Sequence, residues 1–166
     1  MTPKIIRLIK KYKIDLIEDC CESHGAKFNK KKIGTFGNQS NFSFYYAHHM
    51  STIEGGMICT NSFNTYEILR MLRSHGMVRE ASSSKIKNVY LKKYRDLNKD
   101  FIFSYPSYNV RSTEINANLG ISQLKRLTKN NLKRSKNFNL FLKNLDKNKF
   151  FVKFNTLGSV NYGLII

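Results

Sequence analysis

The sequence predicts an α/β fold, a mixed sheet flanked by helices, on three observations. An amphipathic N-terminal stretch runs directly into Ile14-Asp15-Leu16-Ile17-Glu18-Asp19, a helix feeding a buried strand. Phe42, Phe44 and Tyr46 then alternate with Ser43 and Tyr45. After a polar loop, Gly55-Gly56 opens a second apolar run, Met57-Ile58-Cys59, so two neighbouring strands hold the loop between them. Past residue 113, Ile115, Leu119, Ile121, Leu124 and Leu127 recur at roughly helical spacing.

Taken in order, Thr2 reads as the cap of a short helix with Pro3 at its first position, ending at residues 10–13. A helix followed at once by a buried strand is half of a βαβ unit, so Met1 is expected to lie inside a larger fold. Residues 27–36, with Gly34 inside and Gly37 just beyond, read as a hairpin. Asn61 can cap a helix through Arg73 with Tyr66, Ile68, Leu69 and Leu72 as its apolar face, stopped at Gly76. Residues 77–100 are basic and weakly periodic, and no element is read there. A helix is expected over 113–128, continuing as a basic amphipathic helix over 129–145. Residues 150–152 and 162–166 read as two strands. The division expected is residues 1–128 in a large domain and residues 129–166 as the start of a small C-terminal domain.

Composition narrows the function classes. The formal net charge is +18, with 29 Lys and Arg against 11 Asp and Glu, a balance that favours nucleic acid or another anionic partner. The lysines are scattered, however, and no block carries the aromatic interleaving of a base-stacking platform. A solvated surface is the better reading, with a basic nucleic-acid-binding module as the alternative from another class. Cys20, Cys21 and Cys59 have no metal-ligand spacing, so no metal is expected, and their odd number fits a reducing, cytoplasmic setting. No signal peptide is read at the N-terminus, and no apolar run approaches the ~20 residues of a membrane span.

Chemistry concentrates around two stretches. Asp19 closes the first strand, at the sheet edge where open α/β folds bind ligands; capping the next turn is its plainer role. His48 and His49 begin the polar loop between the two later strands, and from spacing alone they read as solvated loop residues. Ser43-Phe44-Tyr45-Tyr46-Ala47-His48-His49-Met50-Ser51-Thr52-Ile53-Glu54-Gly55-Gly56-Met57 nevertheless resembles the cofactor-anchoring segment of the DegT/DnrJ/StrS sugar aminotransferase family, roughly S-F-x-x-x-K-N-x-x-x-x-E-G-G-M. Four further segments resemble that family in the correct order: Ile17–Ala26, Ile33–Asn38, the segment Leu72-Arg73-Ser74-His75-Gly76, and Ser107–Glu114. His48 stands where the family has its cofactor-binding lysine, a departure that resembles the family's nucleotide-sugar 3-dehydratase branch.

The resemblance covers residues 14 to about 145 and implies a fragment of the fold-type I pyridoxal-phosphate architecture. It implies that Asp19 meets the ring nitrogen of pyridoxal or pyridoxamine phosphate, that Glu22 lies beside the ring and that Ser43 bonds the phosphate. Asn109 would meet the phosphate group of a neighbouring subunit in a homodimer. His48 would be the catalytic proton carrier, since an imidazole moves protons near neutral pH but cannot form the lysine's Schiff base. The implied substrate is a nucleotide-linked 4-keto-6-deoxy sugar losing its C3 hydroxyl, whose anionic nucleotide would also suit a positive field. A sugar aminotransferase, or an inactive homologue lacking the lysine, remains the alternative within the family.

Overall fold

Helix α1, Pro3–Tyr12, begins as the sequence predicts: Thr2 Oγ1 accepts the Ile5 N–H at 3.3 Å and Pro3 occupies the first turn. Lys13, at φ 51°, closes it. The structure, a computed structural model, describes residues 2–164 and resolves them into two units. One contains the residues up to Cys59 together with those from Thr113 onward; the other is Thr60–Ser112.

The first unit is built on a three-stranded sheet. Strand β1, Ile17–Asp19, runs parallel to β4, Gln39–Ser43, with Ile17 opposite Gln39, Glu18 opposite Ser40 and Asp19 opposite Asn41; β5, Gly56–Thr60, lies on the other side of β4. The hairpin expected over residues 27–36 is β2, Lys27–Phe28, paired antiparallel with β3, Lys31–Lys32. Its two turn residues, Asn29 and Lys30, both have positive φ, the twist that a tight hairpin requires.

The strand expected to be buried over residues 14–19 differs from expectation. Only Ile17–Asp19 pairs, and Ile17 is 60% exposed while Glu18 is 5% exposed. Side chains alternate across a strand, so one face is covered and the other is not. The covered face is the acidic one because the following loop wraps it: the Glu18 carboxylate accepts the N–H groups of Gly34 (2.7 Å), Phe36 (2.6 Å) and Gly37 (2.7 Å). Ile14, Ile17, Met57 and Ile58 remain exposed, as do Ile5 and Leu8 on α1.

The helix expected over residues 113–128 and continuing as a basic amphipathic helix to 145 is α4, Glu114–Asn144. Its start is a capping box in which Thr113 and Asn116 satisfy each other's backbone N–H. No Gly or Pro interrupts residues 121–144, so nothing stops the helix. Asn131 is its buried residue. The strands expected at 150–152 and 162–164 do not form; those residues find no neighbouring edge, and a strand needs one to satisfy its backbone. Residues 165–166 of the second expected strand lie outside the described residues.

In the second unit, α2, Phe63–Leu72, is capped by Ser62 rather than Asn61. It buries Glu67 and Met71, while the expected face residues Tyr66 and Ile68 are 42% and 37% exposed. Residues 77–100, read as elementless, contain a short 3₁₀ turn, Val78–Glu80, and α3, Ser84–Lys93. Ile86, Tyr90 and Leu91 of α3 pack on a core of Met71, Val78, Ala81 and Ile102. Lysines at 85, 87, 92 and 93 blur that spacing in the sequence. Gly76 turns at φ 75°, and a Cβ there would lie 1.9 Å from the Tyr105 carbonyl oxygen.

Candidate functional site

Because β1 and β4 are parallel neighbours, their C-terminal ends share one edge, and that edge carries Asp19 and Ser43. Asp19 is exposed there. Its Oδ1 accepts the Cys21 N–H and the Asn41 side-chain amide, both at 3.1 Å. The bonds from Cys21 hold its carboxyl below the ordinary value; Asn41 and the nearby His48 imidazole act in the same direction. The carboxylate is therefore an oriented anion, the form needed beside a protonated ring nitrogen.

Ser43 Oγ accepts the Tyr45 N–H at 3.2 Å, which turns the chain out of the strand and leaves the hydroxyl hydrogen free to donate. Three residues on, the His48 N–H bonds the Tyr45 carbonyl at 3.0 Å, folding His48 back toward the edge. The loop base is clamped by Phe44, whose N–H bonds the Gly55 carbonyl and whose carbonyl accepts the Thr52 N–H, both at 2.8 Å. Gly55, at φ 153°, has no room for a side chain: a Cβ would lie 2.5 Å from Thr52 Oγ1.

Helix α4 supplies the other side of the clamp. Asn116 Nδ2 donates to the carbonyls of Thr52 (2.8 Å) and Glu54 (3.3 Å), bracketing Ile53, which sits at φ 73°. That conformation is costly for a β-branched side chain and is held by the bonds on either side of it. The sequence reading gave Asn116 no role.

The His48 ring contacts Tyr45 and Tyr162, at 5.7 and 5.4 Å between centroids. Its Nδ1 is buried without a protein partner. Asp19, Ser43 and His48 are thus gathered around one strand edge. Glu22 is exposed in the turn that follows Asp19. Asn109 lies in the other unit, where its Oδ1 accepts the N–H and Nε–H of Arg111, ordinary turn chemistry. Glu18 was also missed: an acid on the strand face opposite Asp19 is the signal that could have revealed a buried carboxylate. Among the described residues, no helix is long and apolar enough to cross a membrane.

Residues 2–161 match the model of the DegT/DnrJ/EryC1/StrS aminotransferase family. The chain belongs to that family. Its relatives include GDP-4-keto-6-deoxy-D-mannose 3-dehydratase of Escherichia coli O55:H7, 42% identical over 84% of this chain and 36% of that protein. They also include UDP-4-amino-4,6-dideoxy-N-acetyl-beta-L-altrosamine transaminase of Campylobacter jejuni, 32% identical over 89% of this chain and 35% of that protein. Among solved structures, the E. coli GDP-4-keto-6-deoxy-D-mannose-3-dehydratase with bound hydrated PLP superposes with a TM-score of 0.67 at 34% identity, over 84% of this chain and 35% of that one. The family member described here therefore spans about a third of the length of these relatives, and its fold is part of the fold-type I pyridoxal-phosphate architecture.

Proposed function

We propose that the whole protein carrying this chain is a pyridoxal/pyridoxamine-phosphate-dependent 3-dehydratase of a nucleotide-linked 4-keto-6-deoxy sugar. The observation that carries the reading is His48, a half-buried imidazole on the loop that the family uses for its lysine, beside the oriented Asp19 carboxylate. The residues fit the cofactor. Asp19 offers its carboxylate to the ring nitrogen and Ser43 its hydroxyl to the phosphate, while Glu22 is exposed in the turn that follows Asp19. Asn109 would serve the phosphate of a second subunit, in a homodimer. When bound, the cofactor supplies an electron sink that makes loss of the sugar's C3 hydroxyl possible.

Each residue then has one task. Asp19 stays anionic and keeps the ring nitrogen positive. Ser43 donates to the phosphate and fixes the ligand's distance from the strand edge. His48 carries a proton between the reacting carbon and the departing C3 oxygen, which an imidazole can both accept and give up. A lysine at this position would instead hold the cofactor covalently and support amination.

The transaminase relative makes amination the second reading, and residue 48 separates the two. In the whole protein, supplied with cofactor, glutamate and a 4-keto-6-deoxy nucleotide sugar, His48→Asn should reduce dehydration at least a hundredfold, the scale of a lost acid–base group. His48→Lys should divert the product toward an amino sugar. Dehydration that survives His48→Asn would remove His48 from the mechanism. The reading also places the protein in the cytoplasm, where nucleotide sugars are made, and assigns residues 129–166 to the beginning of a smaller domain.

A further inference from the structure

Beneath the His48 loop lies a group of buried polar side chains that the proposed chemistry does not use. His24 and His49 are each 5% exposed and Asn131 is 8% exposed. By hydrogen-bond geometry, the ring nitrogens of His24 and His49, Asn131 Oδ1 and His48 Nδ1 are all unsatisfied; the backbone of Ser43 near His24 and of Val160 near His49 gives each ring only a weak contact that partly offsets the effect of burial. The rings adjoin one another: His24 lies 5.8 Å from His49 between centroids, and His49 lies 6.0 Å from Tyr162, which also touches His48. Phe42 and Phe44 flank His24 on the other side.

The orientation of Asn131 is fixed. Its Nδ2 donates to the His24 carbonyl at 2.7 Å, so Oδ1 is committed as an acceptor that needs a donor. Burial keeps both imidazoles neutral: it lowers the His24 pKa and takes His49 down to about 4, with Arg134 and the facing His24 also opposing a charge on His49. A neutral imidazole offers one donor and one acceptor, so the pair and Asn131 together present both kinds of group to one another. Buried polar atoms in native proteins are almost always satisfied, and where protein atoms do not reach them an internal water with two to four polar partners does. Among the described residues no three His, Cys, Asp or Glu side chains are arranged to hold a metal ion, which favours water over a cation.

We propose that His49 is a positioning residue for His48, and that an internal water held by His24, His49 and the Asn131 carboxamide completes its anchorage. His49 is the buried half of the His48-His49 pair: by fixing its own ring among His24, Tyr162 and the α4 side chains, it fixes the peptide from which His48 projects. Arg134 secures the Tyr162 side of this seat, its Nη1 donating to the Tyr162 carbonyl at 2.9 Å. The inference rests on the reading of His48 as proton carrier only for its catalytic consequence.

The test observes His48 directly, without cofactor or substrate. The full chain, labelled with ¹⁵N and ¹³C in histidine, is compared by NMR with His49→Asn and His49→Phe. In the unaltered chain His48 should show one ring tautomer, and the ring N–H signals of His24 and His49 should persist at neutral pH. His49→Asn, which keeps donor and acceptor, should preserve the single His48 tautomer. His49→Phe, which fills the space without either, should turn His48 into a tautomer mixture like a free imidazole. An unchanged His48 spectrum in His49→Phe would overturn the proposal. Should that variant not fold, the unaltered chain decides: ring N–H signals lost to rapid solvent exchange contradict the anchored pair, and persistent ones support it. Failure of the dehydration assay alone would leave these spectra unaffected, so the two readings fail separately.

Discussion

Asp19 Oδ1 accepts the Asn41 side-chain amide at 3.1 Å across the parallel β1–β4 pair, where the two residues stand in register. A sheet contact thus orients the carboxylate assigned to the cofactor. Removing the amide by Asn41→Ala should raise the Asp19 carboxyl toward its ordinary value, as read by NMR titration. A hydrogen bond to a charged group is worth about 1.5–3 kcal/mol, so cofactor affinity of the whole protein should fall about tenfold or more. An Asp19 titration that does not move would show that Cys21 alone sets the carboxylate.

Glu18 lies on the opposite strand face, where its carboxylate takes three backbone N–H groups. Glu18→Gln keeps the shape but replaces one acceptor oxygen with a donor facing donors. The expected cost is about 2–4 kcal/mol, measured by denaturant unfolding, with the loop at Gly34–Gly37 the first region to lose hydrogen-exchange protection. A loss below about 0.5 kcal/mol would mean that these bonds add nothing net.

Acid should weaken the first unit through its two buried histidines. The folded-state pKa values of His24 and His49 are depressed, so the unfolded chain binds more protons once pH falls below the ordinary 6.5. Stability is therefore fully present above that value and declines as pH falls toward the folded value, about 4 for His49. One proton contributes at most about 1.4 kcal/mol per pH unit, with less expected wherever water reaches the rings. Asp19, whose folded pKa is also lowered, adds its own loss only below its ordinary 3.8. Thermal melts from pH 7.5 to 4.5 should show Tm falling, and His49→Asn should flatten the fall. A flat native profile would contradict neutral buried histidines.

Much of the site was legible because motif order and strand alternation fix which residues reach the β1–β4 edge. The parallel pairing that brings Asp19 and Ser43 together could be expected from a helix–strand start and a later strand. The interior could not be read in the same way. Buried positions in the first unit are largely polar, including Glu18, His24, Ser40, His49, Thr52 and Asn131, so hydrophobic periodicity pointed to Ile17 and away from Glu18. In the second unit, α3 was hidden because lysines alternate with its packed Ile86, Tyr90 and Leu91.

The measurement that bears most directly on the central claim is the identity of the product made by the unaltered whole protein. It would be incubated with a GDP-linked 4-keto-6-deoxy hexose, cofactor and glutamate, and the sugar examined by NMR and mass spectrometry. With His48 in place of the family's lysine, the account predicts a 3-deoxy sugar that retains oxygen at C4. A stable 4-amino sugar with its C3 hydroxyl intact would contradict it.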